Sequence, residues 1–136
     1  MYNNFTIYQR DGLLKLITYK DHFKKSDSKN ALPTSLSDKI NRALISQEFI
    51  EVFCSYDLAN TDYAAIQIEP LNYASFEEWV ETINIETILK SITYIIWTDR
   101  IVDGYFNAKI EDRSLFFLLA RLEKLLTPLM NQLTFN

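Results

Sequence analysis

Two glycines and three prolines are all that 136 residues contain. A sandwich or barrel turns back on itself about every 8–12 residues, and its tight turns draw on residues that accept positive φ. This chain lacks the supply. Long helices joined by few loops need far fewer such residues, so a mainly α fold is expected. The length fits a single globular domain over residues 1–136. A chain of this size can bury enough surface to be stable without disulfides or a structural metal.

Residues 75–130 carry the strongest helical pattern. Ser75-Phe76-Glu77-Glu78 reads as a capping box opening a short helix with Trp79, Val80 and Ile83. Asn84 is placed to cap the next helix, expected to run to about Val102 with Gly104 closing it. In it Ile85, Ile88, Leu89, Ile92, Ile95 and Ile96 recur at helical spacing, the mark of a central buried helix. After a brief helical segment over 105–110, Asp112 is a candidate cap for a last helix. Its Leu115, Leu118, Leu119, Leu122 and Leu126 are expected to face the first stripe. Pro128 should end or kink that helix, because it lacks an N–H and crowds the preceding turn. The apolar residues beyond it, Leu129, Met130, Leu133 and Phe135, are a candidate dimer stripe if the fold leaves them uncovered.

The first half is more ambiguous. Leu13, Leu16, Ile17, Lys20 and Phe23 suit a helix capped by Asp11, with a hairpin around Asp11-Gly12 as the competing pattern. Ser37 is a candidate cap for a helix that would bury Ile40, Ala43 and Leu44. Residues 49–55 either prolong that helix or pair with 63–69 as a small β-hairpin in the middle third. The expected architecture is a compact bundle of about five helices, with that hairpin left open.

Hydrophobic residues make up 48% and charged residues 24% of the chain, which suits a globular protein. Its net charge of −4 supplies no basic surplus to displace phosphate counterions, so nucleic acid is not an expected partner. No apolar run approaches the roughly 20 residues that span a bilayer, so no membrane partner is expected. The lone Cys54, set in an apolar run, reads as an inert core thiol, and with no secretory signal apparent a reducing, cytoplasmic setting is expected. One histidine, His22, and one cysteine cannot make the usual zinc ligand set. Neither a metal nor another cofactor is expected.

One charged group interrupts this apolar pattern. Asp99 falls one turn beyond Ile95 and Ile96, and Asp103 one turn beyond Asp99. Carboxylates at a helix C-terminus face the negative end of its dipole and need compensation. The first expectation is an ion pair with Arg100 or with Arg121 of the last helix, since arginine and carboxylate pair well in two-pronged geometry. The alternative is a pocket whose mouth carries Asp99 and Asp103, with Tyr94 or Tyr105 nearby, where they act as acid and base or hold a divalent cation. Trp97 lies about 100° from the stripe's centre, where it seals the core's edge or anchors a partner.

The residues from Thr93 through Ile95, Ile96, Asp99, Arg100 and Asp103 to Gly104, then Leu119, Arg121 and Leu122, resemble a family of short bacterial domains of unknown function. Its signature is roughly T-x-I-I-R-x-[DE]-R-F-x-[DE]-G followed by L-x-R-L. This chain departs from it at Trp97 and Ile101, where arginine and phenylalanine are usual, and at Arg113, where a small residue is. The resemblance singles out the cluster without implying a reaction.

No catalytic motif of the familiar kinds is present: no glycine-rich phosphate loop, no G-x-S-x-G and no H-E-x-x-H. The acidic balance and the eight tyrosines suit an interaction surface. The expected function is a small cytoplasmic protein-interaction module of the immunity, antitoxin or adaptor type. Its partner would be another protein, with a homodimer as one form; Trp97, Tyr94 and Tyr105 are interface candidates. The competing expectation is an enzyme of unrecognised type using Asp99 and Asp103 with Arg100.

Overall fold

The computed structural model describes residues 5–23, 36–59 and 76–134, with side chains placed in 5–23, 40–59 and 76–128. Among them are six α-helices and a short 3-10 helix: α1 (Ile7–Ile17), the 3-10 helix (Lys20–Phe23), α2 (Leu36–Ser55), α3 (Phe76–Val80), α4 (Ile85–Asp99), α5 (Tyr105–Glu111) and α6 (Ser114–Thr134). No strand occurs among the described residues. The mainly α expectation holds. Residues 49–55, the first arm of the alternative hairpin, are the last two turns of α2; the second arm, 63–69, lies outside the described residues. No described helix is long and apolar enough to cross a membrane.

The α4 and α6 stripes meet as the periodicity predicts. Ile85, Ile88, Leu89, Ile92, Ile95 and Ile96 are all buried, as are Leu115, Leu118, Leu119, Leu122 and Leu126. Each such side chain contributes about 1.5–3 kcal/mol by leaving water, so these two stripes supply a large part of the fold's stability. Around it, α6 also packs against α1, the 3-10 helix, α3 and α5. Asn84 caps α4 as expected, its side chain accepting the Thr87 N–H at 2.8 Å. Asp112 accepts the Ser114 N–H at 2.9 Å and so opens α6. Pro128 does not end α6, which runs on to Thr134. Its cost of about 3 kcal/mol falls on a helix already held by five buried leucines. The side chains of Leu129, Met130, Leu133 and Phe135, the candidate dimer stripe, lie outside the described residues.

The N-terminal third departs more from expectation. Asp11 is not a cap and Asp11-Gly12 is not a turn: both lie inside α1, which starts five residues earlier than that cap would place it. Thr6 is the cap, in a reciprocal pair with Gln9 at 3.0 Å each way. The same Gln9 donates to the Asp57 carbonyl at 2.8 Å, and the Tyr8 hydroxyl to the Ser55 carbonyl at 2.7 Å. The start of α1 is thereby fastened to the end of α2. Ser37 sits inside α2 rather than capping it. That helix buries Phe49 and Phe53 and leaves Ile40, Ala43, Leu44 and Cys54 exposed. The expected core face of α2 was thus the wrong one: the two phenylalanines bury more apolar area than the aliphatic stripe would, and aromatic packing takes the contact. Phe49 meets Tyr19, Phe23 and Phe106 at ring distances of 5.7, 5.3 and 6.0 Å.

Gly12 is required by close approach. A Cβ there would lie 2.4 Å from Tyr56 Cβ and 2.6 Å from its Cγ. Alanine ordinarily gains about 1 kcal/mol over glycine inside a helix. Here the sign should reverse, with Gly12→Ala costing about 1–3 kcal/mol through overpacking. Urea denaturation of the variant measures it; a midpoint at or above that of the parent protein would contradict the packing described.

Candidate functional site

Where α4 ends, the backbone turns through residues 100–104 and re-enters a helix at Tyr105. Gly104 makes that turn in the left-handed region, at φ 85°, where a side chain would be strained. It therefore does not close α4, which stops at Asp99, but opens α5. A glycine cap offers no side-chain acceptor to the first N–H groups of the new helix. Asp99 supplies one: its Oδ1 accepts the Phe106 N–H at 2.8 Å. The position that is unfavourable at the end of α4 is favourable at the start of α5, where the dipole presents its positive end.

The charged cluster of the sequence therefore separates. Among the described residues, neither Asp99 nor Asp103 forms an ion pair with Arg100 or Arg121. The Arg100 guanidinium lies over the Trp97 ring, 4.2 Å from its centroid. Arg121 Nε donates to the Ile83 carbonyl at 3.0 Å, fastening the α3–α4 turn to α6. The expected ion pair is replaced by two contacts that the spacing did not reveal, because a backbone N–H and a backbone carbonyl were nearer than the opposite charge. Asp103 is exposed on the turn. Tyr94 and Tyr105 meet edge to face at 6.2 Å, both half-buried like Trp97.

Asp99 and Asp103 do share a cavity. A space of about 720 Å³ opens between α2 and the α4–α5 corner. From α2 it is lined by Arg42, Ala43, Ser46, Gln47, Ile50 and Glu51. The facing wall carries Asp99, Asp103, Gly104, Phe106, Asn107 and Glu111. Phe106, buried, and Ile50, half-buried, give it apolar surface. Arg42 and Glu111 form a salt bridge across the cavity, tying α2 to α5. Glu51 lies nine residues beyond Arg42, about 13 Å further along the helix; Gln47 Nε2 donates to it at 3.5 Å.

Four carboxylates thus face one guanidinium, and that guanidinium is already paired. The concave wall, backed by apolar side chains, concentrates the resulting negative potential. The site suits a cationic group. Among the described residues there is no group of three or more His, Cys, Asp or Glu that could hold a metal ion. His22 is exposed, its ring 6.2 Å from that of Tyr19. Sequence reasoning found Asp99, Asp103 and Gly104 of this site but missed Arg42, Glu51, Asn107 and Glu111. Nothing in local spacing marks them; they converge because Phe49 and Phe106 bring α2 against α5.

Fold and site together define a mainly helical protein with an open acidic groove. The chain belongs to a family of unknown function, DUF6508, whose model matches residues 24–127. No curated protein and no solved structure gives a significant match.

The geometry at Asp99 makes a stability prediction. Removing the acceptor in Asp99→Ala orphans a backbone N–H on the buried Phe106 and should cost about 1–2 kcal/mol. Asp99→Asn, which keeps an acceptor oxygen, should cost less than half as much. Chemical denaturation of both variants checks this; equal losses would mean that charge, not the hydrogen bond, is what matters there.

Proposed function

We propose that this chain is a protein-interaction module that receives a positively charged group of a partner protein in the groove between α2 and α5, in the manner of an immunity, antitoxin or adaptor protein. The observation that carries the reading is the excess of four carboxylates over one paired guanidinium around an open cavity. Asp103 and Glu51 are the residues assigned to the incoming cation, because Glu111 is engaged by Arg42 and Asp99 holds the Phe106 N–H. A lysine or arginine stem would lie along Ile50 and Phe106 while its head meets the carboxylates, the usual division of labour in such side chains. An arginine fork can engage two carboxylate oxygens at once.

The enzymatic reading has one observation in its favour: Asp99 and Asp103 line the same cavity. Arg100, the third member of that proposed set, instead stacks on Trp97 and is not among the lining residues. Binding is therefore the better supported of the two.

Titration of the isotope-labelled protein with arginine amide, followed by amide chemical shifts, tests the proposal. Shifts should cluster at Glu51, Asp103, Gly104 and Asn107 and shrink as ionic strength rises and the screening length falls toward about 8 Å. Asp103→Asn with Glu51→Gln should weaken the response several-fold. Equal shifts from an anionic probe such as acetyl-glutamate, or shifts scattered away from the groove, would overturn the reading.

A further inference from the structure

The two halves of α2 are held in different ways. Its C-terminal half is built into the core: Phe49 and Phe53 are fully buried, and Ile50, Val52 and Tyr56 pack against the core's edge. Tyr56 meets α1 at Gly12, and Tyr8 and Gln9 donate to the Ser55 and Asp57 carbonyls. At the boundary, the Tyr19 hydroxyl donates to Glu48. From Ile40 to Glu48, by contrast, no side chain is buried. Arg42, Ile45 and Ser46 are half-covered, and of these Ile45 reaches the core. Between this half and the α4–α5 corner lies the 720 Å³ cavity instead of packed side chains. Among the described residues, the Arg42–Glu111 salt bridge is the single polar tie from residues 40–47 to another element.

From this asymmetry we infer that the N-terminal half of α2 is a hinged arm, latched by the Arg42–Glu111 bridge, whose swing sets the width of the groove. The inference goes beyond the reading of the groove as a cation acceptor and holds with no ligand bound. Proline and glycine, the usual causes of a sharp kink, are both absent from α2, so it moves as a rod about its anchored end. From Phe49 to Leu36 the lever is about 20 Å long, and a tilt of about 10° carries its tip about 3 Å. The cavity gives that motion room, where a close-packed interface would resist it. The latched side chains are 16% and 34% exposed, so solvent still weakens their attraction. A single pair of this kind holds less firmly than the buried aromatic rings at the other end. The arm therefore opens well before the molecule unfolds. In the closed state Arg42 occupies Glu111; in the open state both face the widened groove.

Pulsed electron spin resonance on the ligand-free full chain measures the swing. One label pair sits at Leu44→Cys and Ala108→Cys, both exposed positions, in a Cys54→Ser background. The second pair uses the native Cys54, exposed on the anchored half, with Ala108→Cys. In Arg42→Ala the first pair should show a longer distance at least about three times as populated as in the parent protein. The second pair should keep the parent distribution. Glu111→Gln, which retains the size of the side chain, should act in the same way and serves if Arg42→Ala folds poorly. Exchanging the charges, Arg42→Glu with Glu111→Arg, should return the first pair to the parent distances. An unchanged first pair in the single variants would overturn the inference, because the arm would then not depend on the latch. Equal broadening of both pairs would overturn it too, since that is general loosening rather than a swing. A charge-exchanged protein as open as Arg42→Ala would show that attraction between the two groups is not what closes the arm. All of these outcomes are independent of the arginine amide shifts, which decide whether the groove accepts a cation.

Discussion

The leucine stripe of α6 must be covered on several sides at once, and the way the chain covers it positions everything else. Five of its leucines are fully or almost fully buried, which no single partner helix could achieve. The apolar side of α4 covers one flank, and α1, the 3-10 helix, α3 and α5 close over the others. The cost of leaving a helix face of this kind in water is of the same order as the net stability of a small domain. Removing any one of these neighbours would therefore expose a face that the others cannot cover.

Polar contacts then set how the helices enter and leave this core. Each one pairs a side chain with a backbone group where a helix begins or the chain turns. Asp99 takes the Phe106 N–H, Arg121 takes the Ile83 carbonyl, and Gln9 serves both the cap of α1 and the Asp57 carbonyl. In the first two cases a charged side chain at the edge of the core is spent on backbone rather than on a counter-charge. A buried ion pair must overcome the desolvation of two charges, whereas a hydrogen bond from a carboxylate to a helix N-terminus desolvates only one and gains from the dipole.

The groove is a by-product of the same geometry. Phe49 and Phe106 dock α2 against α5, and the turn that Gly104 allows swings Asp103 to the open side. The carboxylates along the cavity are not held together by one another; they are brought close by aromatic packing beneath them. Their mutual repulsion is relieved in part by the Arg42–Glu111 bridge, and a cationic partner would relieve the remainder.

Much of the fold was legible in the residues themselves. Scarcity of glycine and proline pointed to helices, and the isoleucine and leucine stripes named the α4–α6 seam residue by residue, because helical periodicity ties burial to spacing. Capping by Asn84 and Asp112 was readable for the same local reason. The face that α2 buries was not readable, since Ile40, Ala43 and Leu44 made a plausible stripe and the aromatic neighbours that hold Phe49 lie on other elements. Nor was the partner of Asp99, because spacing along one helix says nothing about which N–H the next helix will present. Local sequence thus determined which segments are helical and which stripes form the core. Tertiary packing alone decided that α2 faces α5, and so gathered Arg42, Glu51, Asp99, Asp103 and Glu111, far apart in the chain, around one cavity.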